Sequence, residues 1–374
     1  MTIPMLLLFT LLSLAAPSLS ERCNQEDKKV LLQIKRELNN PPVLSSWTPN
    51  TDCCRKSWLG VECNPHNKRV ISLSITNDND LVAQFPPSIA NLPYLESMFL
   101  YRLPNLTGPI PETISKLTKL QSIQISLTGL SGPLPNFRPT LKTLIILDLS
   151  SNSITGPLPP FLSMLPNLTV IFLNNNKLTG PIPYPYGSFK TLLNVDLSHN
   201  QLSGTLPMSL ARLNLSVINL SHNRLEGDAS MLFGSTKTTS LMDLSWNLFA
   251  FDMGKVELSK DEISSFDVSH NRIYGNLPKG IENVAELNVS YNRLCGEIPQ
   301  GGNFQKFDVS SYFHNKCLCG SPLPRCKWVM GLMAMELKTI EAVMRRILWL
   351  KGMIIKLNFL YFEVGMMYLM RKCY

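Results

Sequence analysis

The sequence has no cysteine between Cys63 and Cys295, although it contains nine cysteines in all. Four lie on the N-terminal side of this gap and four on its C-terminal side: Cys23, Cys53, Cys54, Cys63, Cys295, Cys317, Cys319 and Cys326. They lack the paired CxxC units of a zinc site, and two terminal clusters are typical of disulfide-stapled caps in an exported protein. The simplest pairing is Cys23–Cys53, Cys54–Cys63, Cys295–Cys317 and Cys319–Cys326, although the sequence alone leaves other pairings open. Cys373 is left over.

Several kinds of function lack the residues that they need. The formal charge is +8, but no block of Lys and Arg stands out, so nucleic-acid binding is not indicated. No nucleophile is placed beside a base and an orienting group, and an open strand face offers no pocket that excludes water. We therefore predict a protein that is not an enzyme and that uses no cofactor and no metal.

The two ends of the chain differ from its middle. Residues 1–20 join an apolar run to small residues up to Ser20, which predicts a signal peptide, although no Lys or Arg precedes the run. Residues 328–374 are rich in Met, Leu and Ile, but charges interrupt every apolar run, which argues against a spanning helix. We interpret this segment as an atypical tail outside the fold. An amphipathic helix on a membrane surface is the alternative, and membrane association depends on it.

A repeat of about 24 residues fills the middle of the chain. The stretches LDLSSNSITGPLP (147–159), IFLNNNKLTGPIP (171–183) and VDLSHNQLSGTLP (195–207) follow one template. Its asparagine recurs as Asn152, Asn176, Asn200, Asn223, Asn247, Asn271 and Asn292, and five of the six steps are 23 or 24 residues. Thr128 stands at one such position, and an insertion separates Phe99 and Leu100 from Asn105; we expect local bulges or loops there.

The template has a simple physical meaning. In xLxLxxN, apolar and polar residues alternate, which predicts a short strand with one buried face. The asparagine amide ends the strand and can hydrogen-bond the backbone of neighbouring coils as a ladder, and the Gly and Pro of GxIP turn the chain. The predicted fold is an α/β solenoid, a leucine-rich-repeat right-handed superhelix of about ten repeats with a parallel sheet on its concave face.

The predicted domains follow from these patterns. We expect a signal peptide at 1–20, an N-terminal cap at 21–70, the array at 71–300, a C-terminal cap at 301–327 and the tail at 328–374. Asn24 is expected to cap a helix within residues 24–40 whose apolar face is formed by Val30, Leu31, Ile34 and Leu38. Trp47 and Trp58 are expected to pack this helix over the first coil.

Specific segments carry a family resemblance over residues 21 to about 327. ERCNQEDKKVLLQIK (21–35) and SSWTPNTDCC (45–54) lie in the N-terminal cap, GDASMLFG (227–234) and FDMGKVELSK (251–260) in the array, and LNVSYNRLCGEIPQGG (287–302) and KCLCGSPLP (316–324) at its end. Together they resemble the polygalacturonase-inhibiting proteins of plants. The resemblance implies a secreted defence protein of the plant cell wall that binds and inhibits fungal endo-polygalacturonases through its concave face. Family members usually end just after the last cysteine, so the tail is a departure.

The partners are less closely defined by the sequence. An insect endo-polygalacturonase and cell-wall pectin are further candidates, although the concave face shows no cluster of basic residues for pectin. The alternative function is a receptor-like or co-receptor protein that recognises a peptide or another ectodomain in plant signalling. A third hypothesis is a structural role, such as binding wall pectin or an ice surface.

The register of the template places three columns of side chains on the concave face. The first is Gln124, Asp148, Phe172, Asp196, Asn219, Asp243, Asp267 and Asn288; the second is Ser126, Ser150, Asn174, Ser198, Ser221, Ser245, Ser269 and Ser290. The third is Leu127, Ser151, Asn175, His199, His222, Trp246, His270 and Tyr291. The resemblance implies an acidic contact at Asp148, whereas Asn174 and Asn219 stand where relatives use acidic contacts.

We hypothesise that the aromatic and histidine residues of the third column form a binding strip, because Trp and Tyr dominate interface energies. The simpler interpretations are that the aspartates are solvated strand residues and that SHN is a tolerated repeat variant. The complete predicted partner-binding set is Asp148, Phe172, Asn174, Asp196, His199, Asn219, His222, Ser240, Asp243, Trp246, Asp267, His270 and Tyr291.

Five sequons make the chain a candidate glycoprotein: Asn105, Asn167, Asn214, Asn219 and Asn288. Asn219 and Asn288 fall on the predicted concave face, where a glycan would obstruct a partner. Either these two sites are unmodified, or the partner binds elsewhere.

Overall fold

The structure is a computed structural model that describes residues 23–326 except 56, 138–139, 260–262 and 279. The expectations for residues 1–20, for the tail at 328–374 and for Cys373 lie outside the described residues. The described residues from Cys23 to Pro324 belong to one structural unit. In the described part of the chain, no helix has the length and apolar character needed to cross a membrane.

Successive coils contribute strands to parallel sheets. The strands are β1 Val61–Cys63, β2 Val70–Thr76, β3 Ala83–Gln84, β4 Ser97–Gly108, β5 Ser122–Pro133, β6 Ile146–Asp148, β7 Ser153–Pro157, β8 Val170–Phe172, β9 Lys177–Gly180, β10 Asn194–Asp196, β11 Gln201–Thr205, β12 Val217–Asn219, β13 Arg224–Gly227, β14 Leu241–Asp243, β15 Leu248–Phe249, β16 Ser265–Asp267, β17 Tyr274–Gly275, β18 Glu286–Asn288, β19 Arg293–Glu297 and β20 Cys317–Cys319.

The main sheet forms the concave face. Its neighbours run β1-β2-β4-β5-β6-β8-β10-β12-β14-β16-β18, and every pair is parallel except β1 with β2. Along one flank, β7, β9, β11, β13 and β15 pair in the same order, and β17, β19 and β20 form a separate small sheet. The predicted leucine-rich-repeat solenoid with a parallel sheet is confirmed.

The return segments on the back are short 3-10 turns. They span Pro87–Asn91, Glu112–Lys116, Pro160–Met164, Tyr184–Ser188, Met208–Arg212, Ser230–Leu232, Met253–Lys255 and Ile281–Asn283, with further turns at Pro42–Leu44, Phe304–Lys306 and Val309–Ser311. Several begin at or just after a proline, whose fixed φ suits the first helical position. The glycine before them, such as Gly180 at φ 78°, adopts the left-handed conformation that a residue with a Cβ rarely takes.

The asparagine ladder joins each coil to its neighbours. Asn200 is representative: its Nδ2 donates to the carbonyl oxygens of Leu173, Leu197 and Ser198 at 2.9, 3.1 and 3.0 Å. Its Oδ1 accepts from the backbone N–H of Leu178 at 2.9 Å. One buried amide thus satisfies four backbone groups, which explains why the template requires asparagine where the chain turns inward.

The ladder continues beyond the repeats that the template identifies. Asn315 donates to the carbonyls of Val289 and Tyr312 at 3.0 and 2.7 Å and accepts from Leu294 N–H at 3.0 Å. At the other end, Thr128 takes the asparagine position, and its hydroxyl hydrogen-bonds Asn152.

The insertion before Asn105 forms the expected bulge. The register between β4 and β5 shifts between Leu103 and Thr107, and Leu103 pairs with Thr128. Leu103, not Asn105, therefore occupies the ladder position of that coil. Asn105 is exposed, and its Nδ2 donates to Asn79 O at 2.7 Å.

The N-terminal cap contains α1, Gln25–Glu37, and the Asn24 side chain accepts hydrogen bonds from the backbone N–H groups of Glu26 and Asp27. Leu31, Ile34 and Leu38 are buried as expected, whereas Val30 is only partly buried. The Trp47 and Trp58 rings stack at 5.6 Å.

An ion pair that the sequence did not reveal holds α1 against the first strand of the array. Asp27 is only 1% exposed, and its carboxylate accepts from the Arg69 guanidinium at 2.7 and 2.8 Å and from Val70 N–H at 2.9 Å.

Disulfides close both ends of the array. Cys23 is bonded to Cys53, Cys54 to Cys63, and Cys295 to Cys317. Cys319 and Cys326 are each disulfide-bonded as well. The sulfurs of the four N-terminal cysteines lie close enough together to hold a metal ion, but as disulfides they are not thiolate ligands.

Candidate functional site: the concave face

Each concave strand between β6 and β18 is only three residues long and ends at the first column. The carboxylate of Asp196 accepts from the backbone N–H of Ser198 at 2.9 Å and from its hydroxyl at 2.6 Å. The same side-chain turn recurs at Asp148, Asn219, Asp243, Asp267 and Asn288. These residues are therefore half-buried turn-formers as well as surface groups, and Phe172 interrupts their row.

Burial changes the acid chemistry of this column. It raises the pKa of Asp196 and of Asp267, because a charged carboxylate loses hydration there, although hydrogen bonds from Ser198 and Ser269 oppose the rise. Asp267 also accepts from Asn288 Nδ2 at 3.2 Å. The column is a row of oriented acceptors rather than of freely solvated carboxylates.

The second column does not face outward as we expected. Six of its eight members are buried: Ser126, Ser198, Ser221, Ser245, Ser269 and Ser290. The reason is the turn just described, which folds the serine back against the residue that ends the strand. Asn174 and Ser150 are half-buried.

Apart from Leu127, which lies within β5, the third column also lies outside the strands. Its residues occupy the next step of the turn, and each has a left-handed backbone with φ between 52° and 54°. Bulky residues are outliers in this conformation, yet His, Trp and Tyr fill it in five consecutive coils. The turn raises their side chains to the surface, where Trp246 is 49% and Tyr291 39% exposed.

The rings of this column stack into one continuous ladder. The centroids are 4.1 Å apart for His199–His222, 5.3 Å for His222–Trp246, 3.7 Å for Trp246–His270 and 4.0 Å for His270–Tyr291. His314 adds a sixth ring at 4.3 Å from Tyr291. We call these six residues the ring ladder. Because the rings lie face to face along the array, the strip presents ring edges to a partner.

The sequence analysis missed His314, although a signal was present. The pair His314-Asn315 repeats the His-Asn pairs at 199–200, 222–223 and 270–271, and Asn315 follows Asn292 by 23 residues, which places His314 in the third column. We also missed Phe99 and Tyr101, whose rings stack at 5.7 Å on β4. Leu127, the third-column residue of the β5 coil, is 45% exposed.

Neighbouring charges and burial set the chemistry of the imidazoles. Burial lowers the pKa of His222, and the nearby His199 lowers it further, while Asp243 and Asp267 oppose the change. Burial also lowers the pKa of His270; Asp267 raises it, and His222 and His314 lower it. These shifts favour the neutral imidazole at His222 and His270.

The remaining predicted residues lie in different places. Ser240 precedes β14, and its hydroxyl donates to Ser216 O at 3.0 Å, so it lies at the opposite end of the strand from the ring ladder. Asn219 and Asn288 are half-buried within concave strands.

The other three sequons are exposed. The amides of Asn105 and Asn167 donate to Asn79 O and Lys142 O, and Asn214 accepts from Thr238 N–H. Asn167 and Asn214 lie between the back turns and the concave strands, whereas Asn105 lies within β4 of the main sheet.

Known proteins resemble the chain over nearly its whole described length. Models of the leucine rich repeat N-terminal domain, of paired leucine rich repeats and of the leucine rich repeat match residues 24–64, 142–184 and 191–213. A polygalacturonase inhibitor of Vitis vinifera is 53% identical over 325 residues, which cover 86% of this chain and 96% of that protein. The chain belongs to the polygalacturonase inhibitor family.

Other family members agree with this assignment. A polygalacturonase inhibitor of Pyrus communis is 51% identical over 318 residues, covering 84% of this chain and 95% of that protein. Both of these relatives are polygalacturonase inhibitors rather than enzymes, which confirms the prediction that this family member is not an enzyme.

A solved structure of a plant protein also resembles the chain. The crystal structure of a plant ice-binding protein matches with a TM-score of 0.80 and 46% identity, covering 82% of this chain and 99% of that one.

Proposed function

We propose that this protein is secreted into the plant cell wall, where it binds and inhibits an endo-polygalacturonase of a fungal or insect attacker through its concave face. The observation that carries the proposal is the exposed ring ladder beside a row of oriented carboxylates. Aromatic residues and charged partners at their rim are typical of protein interfaces.

Membership of the family supports a polygalacturonase as the partner, but the fold alone does not identify the ligand. A plant ice-binding protein has the same fold, so the side chains on the fold must determine the ligand. The ring ladder and the aspartates of β10, β14 and β16 suit a folded protein surface that offers both apolar and polar contacts.

Inhibition of enzyme activity is the direct test. The full chain, secreted with its own leader and purified with its disulfides intact, would be mixed with a panel of fungal and insect endo-polygalacturonases at pH 5 to 6. Release of reducing ends from polygalacturonate measures the activity. We expect slower release with at least one enzyme; no effect on any enzyme of a broad panel would refute inhibition and favour the receptor-like alternative.

A second partner, pectin, is favoured by a separate surface. Basic residues stand on the edge that leads from the back of the coils into the concave strands, and five of them are exposed: Lys116, Lys119, Lys142, Lys190 and Arg212. In the sequence from 113 to 240, the four acidic residues are Asp148, Asp196, Glu226 and Asp228, and none lies on this edge. A row of cations suits the uronate carboxylates of pectin.

Binding to immobilised polygalacturonate tests the pectin contact. We expect the protein to be retained at low ionic strength and the K142E/K190E double variant to elute at lower salt. Equal elution of the two proteins would remove this edge as the contact.

A further inference from the structure

A column of basic residues follows the ring ladder by two positions along the chain. The residue that follows the ladder asparagine is Arg224, Arg272, Arg293 or Lys316 in four of the coils that carry rings. All four are exposed, and among the described residues none of their side chains has an ion pair or a hydrogen bond. We call these four residues the basic column. Gln201 and Leu248 occupy its other two positions.

Acidic residues lie on the other side of the rings. In one coil the order along the chain is Asp267, His270 and Arg272, so the ring follows an acceptor and precedes a cation in the sequence. Asp196 and Asp243 repeat the acidic side in the coils of His199 and Trp246. Since equivalent residues of adjacent coils are about one strand spacing apart, roughly 4.8 Å, the three chemistries form parallel stripes.

We propose that these stripes bind an extended segment of a partner protein, with acidic side chains along the edge that faces the basic column. Apolar or aromatic side chains of the segment lie over the ring ladder, and Lys, Asn or Gln side chains face Asp196, Asp243 and Asp267. This inference rests on the proposed function and names the surface that the polygalacturonase presents.

Charge complementarity favours a protein segment over a pectin chain at this place. A polyuronide carries carboxylates on every sugar, so one lying across the stripes meets the aspartates as well as the arginines, and like charges repel. Stacking also covers the ring faces inside the ladder, so they are not open to a sugar. Their edges carry positive potential, which suits the π-faces and carboxylates of a protein partner.

Arg272→Glu, compared with Lys177→Glu, tests the inference. Lys177 holds the same position in its coil and is exposed, but the neighbouring third-column residue is Asn175 rather than a ring. Each variant reverses one charge on the full chain, and binding to the inhibited polygalacturonase is measured by surface plasmon resonance at several salt concentrations. We expect about tenfold weaker binding for Arg272→Glu, lessening at high salt, and less than twofold for Lys177→Glu.

Thermal unfolding checks that both variants are folded, and Arg224→Gln replaces Arg272→Glu should the latter unfold. Equal losses for the two charge reversals would indicate a general field effect and overturn the inference. Unchanged binding of Arg272→Glu, with inhibition by the unaltered protein intact, would overturn the inference alone.

Two further outcomes are informative. A loss of polygalacturonate binding as large as the loss of enzyme binding would make pectin the occupant and overturn the inference. If the unaltered protein binds no enzyme of the panel, the proposed function and the inference fail together.

Discussion

The two halves of the third column share a backbone conformation but differ in the chemistry of their side chains. From Asn77 to His314, eleven residues in successive coils have φ between 52° and 59°. The first five are Asn77, Arg102, Leu127, Ser151 and Asn175, whereas the last six form the ring ladder. The strand and the asparagine ladder thus determine the position of the third-column side chain in each coil. They do not determine its residue type, which can vary with the partner. The C-terminal half is where the chain concentrates residue types that dominate interfaces.

Removing one side-chain amide of the asparagine ladder should have the largest effect on the backbone conformation that the two halves share. Asn176→Ala deletes donors to Leu149 O, Leu173 O and Asn174 O and the acceptor of Ile154 N–H, all within buried surroundings. We expect about 3 kcal/mol lower stability in urea unfolding, because several buried groups lose partners. Asn174→Ala, two residues away in the same run, is the control and should cost less than about 1 kcal/mol. Similar losses of stability in the two variants would contradict the role of the asparagine ladder.

Substitutions in the two halves of the third column should differ in their effect on partner binding. Trp246→Ala and Leu127→Ala remove side chains of similar exposure, 49% and 45%, from equivalent left-handed positions. We expect Trp246→Ala to weaken polygalacturonase binding by about 30-fold, as for an interface hot spot, and Leu127→Ala by less than about threefold. Titration calorimetry or surface plasmon resonance measures both. Unchanged binding of a folded Trp246→Ala protein would remove the ring ladder from the interface.

A charge can be removed while its turn is kept. Asp196→Asn preserves an oxygen that accepts from Ser198, so unfolding should change by less than about 0.5 kcal/mol. Binding should weaken by about threefold, since one rim charge is lost beside the rings. Asp148→Asn, farther from the rings, should have a smaller effect. The reverse order would place the acidic contact in the N-terminal half, as the family resemblance implies for Asp148.

The smallest expected effect is a pH dependence of stability. Burial lowers the pKa of His222 and His270, so the unfolded chain binds more protons than the folded chain as the pH falls past the ordinary histidine value of about 6.5. Stability from this source is present above that pH and is lost as the pH falls below it. Asp196 and Asp267 have raised pKa values and oppose the loss only at lower pH, near carboxylate titration.

Melting temperatures from pH 7.5 to 5 measure this slope. His222→Gln should make it shallower, whereas His66→Gln should not, because His66 lies in an exposed turn of the N-terminal cap. A slope that His222→Gln leaves unchanged would mean that the ring ladder does not couple to folding.

The sequence predicts the repeated parts of this molecule well because one physical requirement recurs in each coil. Alternating leucines and a turn-forming asparagine suffice for the strands and the ladder. Where a coil departs from the template the prediction fails: the length of the insertion before Asn105 does not tell which residue enters the ladder, and Leu103 does.

The surface was only partly predictable. Strict alternation puts Ser198 and its equivalents outward, but the turn begins one residue earlier, because the Asp196 carboxylate captures the serine N–H. The basic column was overlooked for a related reason. Arg272 follows the strand and its asparagine, so a register based on the strand alone does not place it beside His270.

The turn at the end of each concave strand has a consequence for how such a surface can change over generations. Asp196, Asp243 and Asp267 make the same turn that Asn219 and Asn288 make. Aspartate and asparagine codons differ by a single base. A point mutation can therefore change the charge of any one of these coils while its turn stays intact. Selection by a changing pathogen enzyme can then alter the surface one coil at a time.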